Sequence, residues 1–396
     1  MVWLVEIRWL LFYNKKGRIL SFLKYQSEKK GKTLRKIYLD NIRWATVLLV
    51  LVYHVCYLFN GVGVLGGIPD AANIPAFDWF ACMVYPWFMV LLFVIAGMSA
   101  RYALQKRTAR QFLRERTVKL LIPSTLGLFV LHWITGYLNI KIGGGLAYIP
   151  PALLYPIAAI SGTGPLWFIQ MLFVFSCVLV LLHKIDRAGK LWTLCGKTNF
   201  WIVFLLFLPI WGAAHLLNLP VLTMYRFGIY FVAFLIGYYV FSHEEIQEAI
   251  ERMRVPTLCL SVIAAVLYGL RYGGGDYTSS DCLQNIITNF YLWMVVLAVF
   301  GWGRACFNRE TAFTAYMTKA SFGLYILHYP VLMGTGYLLY SCLELPALCN
   351  YAIALAAELV LTLTAYEIIK RVPILRFLVL GLKKSPRKGT SRTDAV

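Results

Sequence analysis

Arg43 and His54 are the first residues of the sequence whose types and spacing suggest chemistry. They lie eleven residues apart in one apolar stretch, which is about three helical turns, so both side chains project from nearly one helix face, roughly 16 Å apart along its axis. A guanidinium binds anions, and an imidazole with an unperturbed pKa of about 6.5 can act as a base or nucleophile at neutral pH. The ordinary alternative is a snorkelling arginine and a packed, hydrogen-bonded histidine. Asp40 is expected to cap this helix.

A second set of candidate residues is basic. The stretch 101–119 carries seven cations against the single acid Glu115, and it ends in Arg116 and Lys119. Residues three positions apart share a helix face, so these two cations could converge on one polyanion. The alternative is that the stretch only sets membrane topology, because basic inner loops are the rule.

The third set lies late in the chain, where Tyr325 and His328 interrupt another apolar stretch. Buried polar and ionisable groups in such stretches are costly, which makes them candidate functional groups. Pro330 follows closely and is expected to disturb the backbone pairing and open a local polar site. His132 is expected to be structural.

The elements that position these residues must be membrane helices. Hydrophobic residues make up 60% of the 396 residues and charged residues 14%, which is far outside the range of soluble domains. Several apolar segments reach the roughly 20 residues that cross a bilayer as a helix. The sequence therefore predicts an all-α, polytopic integral membrane helix bundle.

Ten transmembrane spans are expected. They read as 41–59, 79–100, 118–137, 165–183, 200–217, 222–241, 256–271, 284–303, 320–341 and 348–369. The proline-rich segment 150–162 is expected to be too short to span, and to be re-entrant or interfacial instead.

The distribution of positive charge predicts orientation. Nearly all 38 basic residues fall on the side of the N-terminus, and the opposite side holds Lys141, Arg226 and Arg271. The positive-inside rule then predicts that both termini are cytoplasmic. The expected organisation is a basic amphipathic segment at 1–38, a membrane domain at 39–380 and a basic tail at 381–396.

Two other classes of function are disfavoured. The net charge of +20 lies between apolar spans rather than on a soluble face, which argues against nucleic-acid binding. The nine cysteines show no metal-ligand spacing, so no metal is expected. The oligomeric state cannot be read from the sequence.

Several motifs, in order, resemble those of the membrane acyltransferase-3 family. Leu39-Asp40-Asn41-Ile42-Arg43 followed by His54 resembles its opening motif. The further matches are Phe93 to Met98, Phe112 to Pro123, Gly164-Pro165-Leu166-Trp167-Phe168, and Ser321 to Pro330. The resemblance covers about residues 38–380. Lys119 stands where the family usually has a second arginine, which keeps the charge but weakens bidentate phosphate binding.

The resemblance implies transfer of an acyl group, usually acetyl and sometimes succinyl, from a cytoplasmic acyl-CoA. The acceptor would be a hydroxyl of a glycan, lipid or small molecule at or beyond the outer face of a bacterial cytoplasmic membrane. Arg43, Arg116 and Lys119 would hold the donor's phosphates, and the pantetheine arm would reach toward His54, with Tyr325 and His328 as further catalytic residues.

Two mechanisms stay open at this point. His54 could remove the acceptor's proton as a general base, or it could carry the acyl group transiently. A proton-coupled transporter or flippase is the competing class of function, because an intramembrane histidine near a cation also suits a proton relay. A scaffold or sensor without chemistry is a third.

Overall fold

The apolar segments of the sequence form long helices in the computed structural model, which describes residues 35–68, 71–218 and 226–383. The described residues contain no β-strand beyond one isolated bridge between Asn218 and Arg226. The helices used below are α1 (Ile37–Leu58), α2 (Pro75–Leu104), α3 (Ala109–Ile142), α4 (Pro151–Ser161), α5 (Gly164–Ile185), α6 (Phe200–Ala213), α7 (Phe227–Phe241), α8 (Glu244–Arg252), α9 (Arg254–Tyr272), α10 (Ile286–Cys306), α11 (Ala312–Cys342), α12 (Ala347–Ile369) and α13 (Pro373–Leu380).

The predicted helical membrane bundle is confirmed. Within the described residues, eight helices are long and apolar enough to cross a bilayer, and the bent pair of α7 and α8 would make a ninth. Eight of the ten expected spans correspond to these helices. The expected span 222–241 corresponds to α7, and 200–217 to the shorter α6. The segment 150–162 contains α4, whose 11 residues are too few to cross, as expected.

An acidic helix explains why α7 does not continue straight. The chain turns by 101° between α7 and α8, and α8 carries carboxylates that an apolar phase would exclude. Glu244 and Glu251 each lie 2.7 Å from the Arg304 guanidinium, and Glu248 lies 3.6 Å from it. The side chains of Glu244 and Glu248 are about half exposed, so this face of α8 is open to solvent.

Glycines let α2 and α7 pack with their backbones in contact. A Cβ on Gly97 would lie 2.0 Å from the Phe234 carbonyl oxygen, and a Cβ on Gly237 would lie 2.1 Å from that of Val94. Inside a bilayer the hydrophobic effect does not hold helices together. Small residues at such crossings let the backbones approach closely, so that van der Waals packing stabilises the contact. Gly97 belongs to the motif Phe93 to Met98, so the contact gives that motif a structural reason.

We expect Gly97→Ala to lower the melting temperature of the protein in detergent, because the added methyl group must push α7 away. Gly334→Ala is the matched control, since nothing lies within 4 Å of the Cβ that it would add to α11. The control should melt at or above the wild-type temperature, because alanine favours helix over glycine. Equal melting of the two variants would contradict the contact.

The predicted terminal segments fall largely outside the described residues. Of the expected amphipathic segment 1–38, only residues 35–38 are described, and of the tail 381–396 only residues 381–383. Both segments, like the boundary of the membrane domain, stay predictions. The described residues from Tyr38 onward belong to one compact unit.

Candidate active site

Helix α1 carries Arg43 and His54 as the sequence predicts. Asp40 is not the N-cap, because α1 already begins at Ile37 and Asp40 lies in its first turn. Its carboxylate instead accepts from Nη1 of Arg43 at 3.0 Å, and Nη2 of Arg43 donates to Ser99 Oγ at 2.8 Å. The guanidinium is therefore held in one orientation between α1 and α2.

Two histidines from distant parts of the sequence meet in the membrane bundle. Nδ1 of His54 lies 2.8 Å from the Val50 carbonyl oxygen and 3.3 Å from Nε2 of His328. Because a carbonyl only accepts, the network assigns the hydrogen of His54 to Nδ1 and the lone pair to Nε2. His328 donates from Nδ1 to the Tyr325 carbonyl at 2.7 Å, so its Nε2 is the acceptor facing His54. His54 is thus held as the tautomer whose Nε2 can take a proton.

Helix α11 runs through Pro330 without ending there. Because proline has no backbone N–H, one hydrogen bond of the helix is missing at this position. The proline cannot donate to the Ile326 carbonyl one turn earlier. His132, which is fully buried, lies beside this carbonyl with a geometry outside that of a regular hydrogen bond. The structural role expected of His132 stays a prediction.

Tyr325 is fixed by the segment that opens α5. Its hydroxyl donates to the Pro165 carbonyl at 2.5 Å, and its ring contacts Phe168 with the ring centres 5.5 Å apart. Gly164 has φ of +38° and packs directly against Tyr329: a Cβ on Gly164 would lie only 2.9 Å from the tyrosine ring. The motifs Gly164 to Phe168 and Ser321 to Pro330 therefore form one packed unit.

An aromatic cavity of about 90 Å³ lies on the His54 side of this unit. Tyrosine and tryptophan rings are rigid, amphipathic surfaces on which polar ligands can stack and hydrogen-bond. The rings that line it are Tyr53, Tyr57, Tyr85, Phe88, Trp167, Tyr230, Tyr325 and Tyr329. Sequence reasoning singled out Tyr325 and included Trp167 and Tyr329 in the family motifs. It assigned no role to the other rings, since aromatic side chains are common throughout the chain.

A larger, cationic cavity of about 530 Å³ contains Arg43, Arg116 and Lys119. The three cations predicted to act together thus line one space, with Lys319 as a fourth. Its described lining includes no carboxylate and is otherwise mostly apolar. Such a cavity suits a ligand with a polyanionic end and a neutral remainder. The sequence analysis did not include Lys319 among the candidate cations. Its position two residues before the motif Ser321 to Pro330 would have indicated that it lies near the site.

A π-helical turn shapes the side of the cationic cavity formed by α3. The turn spans Thr117–Leu121, between Arg116 and Ile122, and π turns often occur at functional sites. A π turn has more residues per turn than an α-helix, so it changes the direction in which later side chains project. Arg116 and Lys119 nevertheless both line the cavity. The Arg116 guanidinium lies over the Phe112 ring at 5.0 Å from its centre, which limits the orientations of the charge.

Tyr325 lines both cavities. The six predicted site residues therefore divide into two groups: Tyr325 and His328 lie with His54, and the cations line the neighbouring space. Among the described residues, no group of three His, Cys, Asp or Glu side chains could hold a metal ion.

Comparison with known proteins identifies the family of the chain. Residues 36–367 match the acyltransferase-3 family, whose description is "Acyltransferase domain". Glucans biosynthesis protein C of Escherichia coli (strain K12) is 22% identical over 386 residues, which cover 90% of this chain and 98% of that protein. The protein of the same name from Shigella boydii serotype 4 (strain Sb227) is 22% identical over 387 residues, with the same coverage. No solved structure matches the chain. Because the family match spans most of the sequence, this multi-pass membrane protein belongs to the acyltransferase-3 family and is an acyltransferase.

Proposed function

We propose that this protein transfers an acyl group, acetyl in the first place and succinyl in the second, from acyl-CoA to a hydroxyl of a cell-envelope glycan. The observation that carries the proposal is that Tyr325 lines both the cationic and the aromatic cavity. A donor in the first cavity and an acceptor in the second would meet beside this residue and His54. The acceptor class is supported by the name of the relatives, which concerns glucans.

The cationic cavity fits the donor's chemistry. Coenzyme A carries its phosphates at one end of a flexible, neutral arm and the thioester at the other. Arg43, Arg116, Lys119 and Lys319 would pair with the phosphates, and the apolar remainder of the cavity would receive the arm. The rings of the aromatic cavity would stack against a sugar acceptor.

The reaction follows from the tautomer of His54. As the acceptor hydroxyl attacks the thioester carbon, its proton moves to Nε2 of His54. The imidazolium is stabilised because its Nδ1–H donates to the Val50 carbonyl and to the neutral His328. The carbon–sulfur bond then breaks, the proton passes to the thiolate sulfur, and CoA and the ester leave. Direct attack by Nε2 would instead break the carbon–sulfur bond, release CoA as the thiolate and give an acyl-histidine. The acceptor hydroxyl would then attack this intermediate, lose its proton to the thiolate, and free His54.

The proposal is tested with purified protein in lipid vesicles, supplied with radiolabelled acetyl-CoA and a bacterial envelope glucan. We expect the label to appear on the glucan as an alkali-labile ester, and the His54→Ala variant to leave it on CoA. Movement of glucan across the bilayer without labelling would contradict the proposal and favour a transporter or flippase.

The proposed sidedness follows from the charge distribution. We expect a reporter fused after Val396 to be cytoplasmic and one inserted near Gly66 to be outside, because the basic segments favour the inner face of a bacterial cytoplasmic membrane. Alkaline phosphatase and green fluorescent protein fusions, which are active on opposite sides, would measure both positions. Reporters on the same side would require an even number of spans between the two positions and would contradict the ten-span arrangement. Reporters on exchanged sides would indicate a reversed orientation.

A further inference from the structure

Helix α13 contributes to the cationic cavity although it lies outside the family match. The match ends at residue 367, and α13 begins at Pro373. Leu380 and Leu382 nevertheless line the same cavity as Arg116 and Lys119. Part of the cavity wall is therefore built from a segment that lies beyond the matched residues.

A glycine turn holds the end of α13 against the π turn of α3. Gly381 has φ of +60°, a conformation that favours glycine. A Cβ there would also lie 2.4 Å from the Val118 carbonyl oxygen and 2.9 Å from Cα of Lys119. The close approach fixes α13 relative to the segment that carries two of the four cations.

Leu380 lies along the middle of the cavity. On α11, Lys319, Gly323 and Tyr325 all line it, and six residues of helix separate the first from the last by roughly 9 Å. A Cβ on Gly323 would lie 3.3 Å from Cδ2 of Leu380, so Leu380 stands between the cationic end and the end that Tyr325 shares with the aromatic cavity. A donor with its phosphates at the cations and its thioester near Tyr325 would place its pantetheine arm beside Leu380.

We propose that α13 and the turn after it form a donor-binding element, in which Leu380 at the end of the helix and Leu382 in the turn form the apolar wall that contacts the pantetheine arm. The inference rests on the proposed function, since it needs the donor in this cavity. Truncating Leu380 removes apolar contact surface from a bound arm, which corresponds to a loss of about tenfold in affinity.

The test measures kcat and KM with three donors: acetyl-CoA, acetyl-pantetheine, which lacks the nucleotide, and S-acetyl-N-acetylcysteamine, which also lacks most of the arm. We expect Leu380→Ala to raise KM about tenfold for the first two donors, which share the arm, and to leave the third nearly unchanged. Arg116→Ala should raise KM for acetyl-CoA alone. Val379→Ala is the matched control, because Val379 is equally buried but does not line the cavity.

Three other outcomes would contradict either the inference about α13 or the proposed function. Equal losses with all three donors would make Leu380 merely structural and overturn the inference. Unchanged KM values in Leu380→Ala, beside a raised KM for acetyl-CoA in Arg116→Ala, would overturn the inference and leave the proposed function intact. Absence of transfer by the wild-type protein from any donor would contradict the proposed function itself. If Leu380→Ala does not fold, Leu382→Ala tests the same wall at a position that is 36% exposed.

Discussion

The His54→Ala variant is expected to lose acyl transfer almost completely, with kcat reduced by about 10² to 10⁴. Both proposed mechanisms need the lone pair on Nε2, whether it takes the acceptor's proton or attacks the thioester. No other histidine in the described part of the chain lines either cavity. The measurement is the rate of ester formation from acetyl-CoA at saturating donor and acceptor.

The control for this variant must separate chemistry from folding. His215→Ala alters an exposed histidine outside both cavities and should keep wild-type turnover. His54→Ala should accumulate in the membrane and melt like this control. Turnover above a few per cent of wild type in a folded His54→Ala protein would make the residue structural.

His328 is proposed to act through His54 rather than on the substrate. Its Nε2 accepts from the Nδ1–H of His54, so it selects the tautomer and supports the imidazolium. Residues that act as one unit are strongly non-additive. The double variant His54→Ala/His328→Ala should therefore be no slower than His54→Ala alone, whereas a further large loss would indicate a separate role for His328.

The fold was predictable where hydrophobicity alone decides it. Eight of the ten expected spans match long helices because a bilayer requires a minimum apolar length and leaves few alternatives. The expected span 200–217 was less predictable, because α6 is apolar but shorter than the eight long helices. Asp40 was misassigned because a polar residue at a predicted boundary resembles a cap, while the helix had already begun one turn earlier.

The site was predictable along each helix but not between helices. The spacing of Arg43 and His54 is local, and the single helix α1 preserves it. The pairing of His54 with His328 joins positions 274 residues apart, and no local pattern specifies which faces of α1 and α11 meet. The same holds for Leu380, which joins the cavity only because α13 folds back onto α3.

Arg116→Ala is expected to raise the KM for acetyl-CoA by about 10- to 100-fold while changing kcat much less, because a charge-assisted contact contributes about 1.5–3 kcal/mol. Arg116 is a better test of the cationic cavity than Arg43. The Arg43 guanidinium also bonds Asp40 and Ser99, so Arg43→Ala would disturb the contact between α1 and α2. The matched control is Arg114→Ala, which removes an exposed cation outside the cavity.

Acetyl-pantetheine, which lacks the nucleotide, distinguishes a loss of phosphate binding from a loss of catalysis or folding. Wild type and Arg116→Ala should use it almost equally poorly, since neither can exploit phosphates that are absent. Lys119→Arg, which restores the residue usual in the family, should keep or improve the affinity for acetyl-CoA through a bidentate contact and have no effect with acetyl-pantetheine. If Arg116→Ala instead slowed transfer from acetyl-pantetheine as much as from acetyl-CoA, Arg116 would act on the fold or on His54. The phosphates would then have to be held elsewhere, and the cationic cavity would no longer be the donor site.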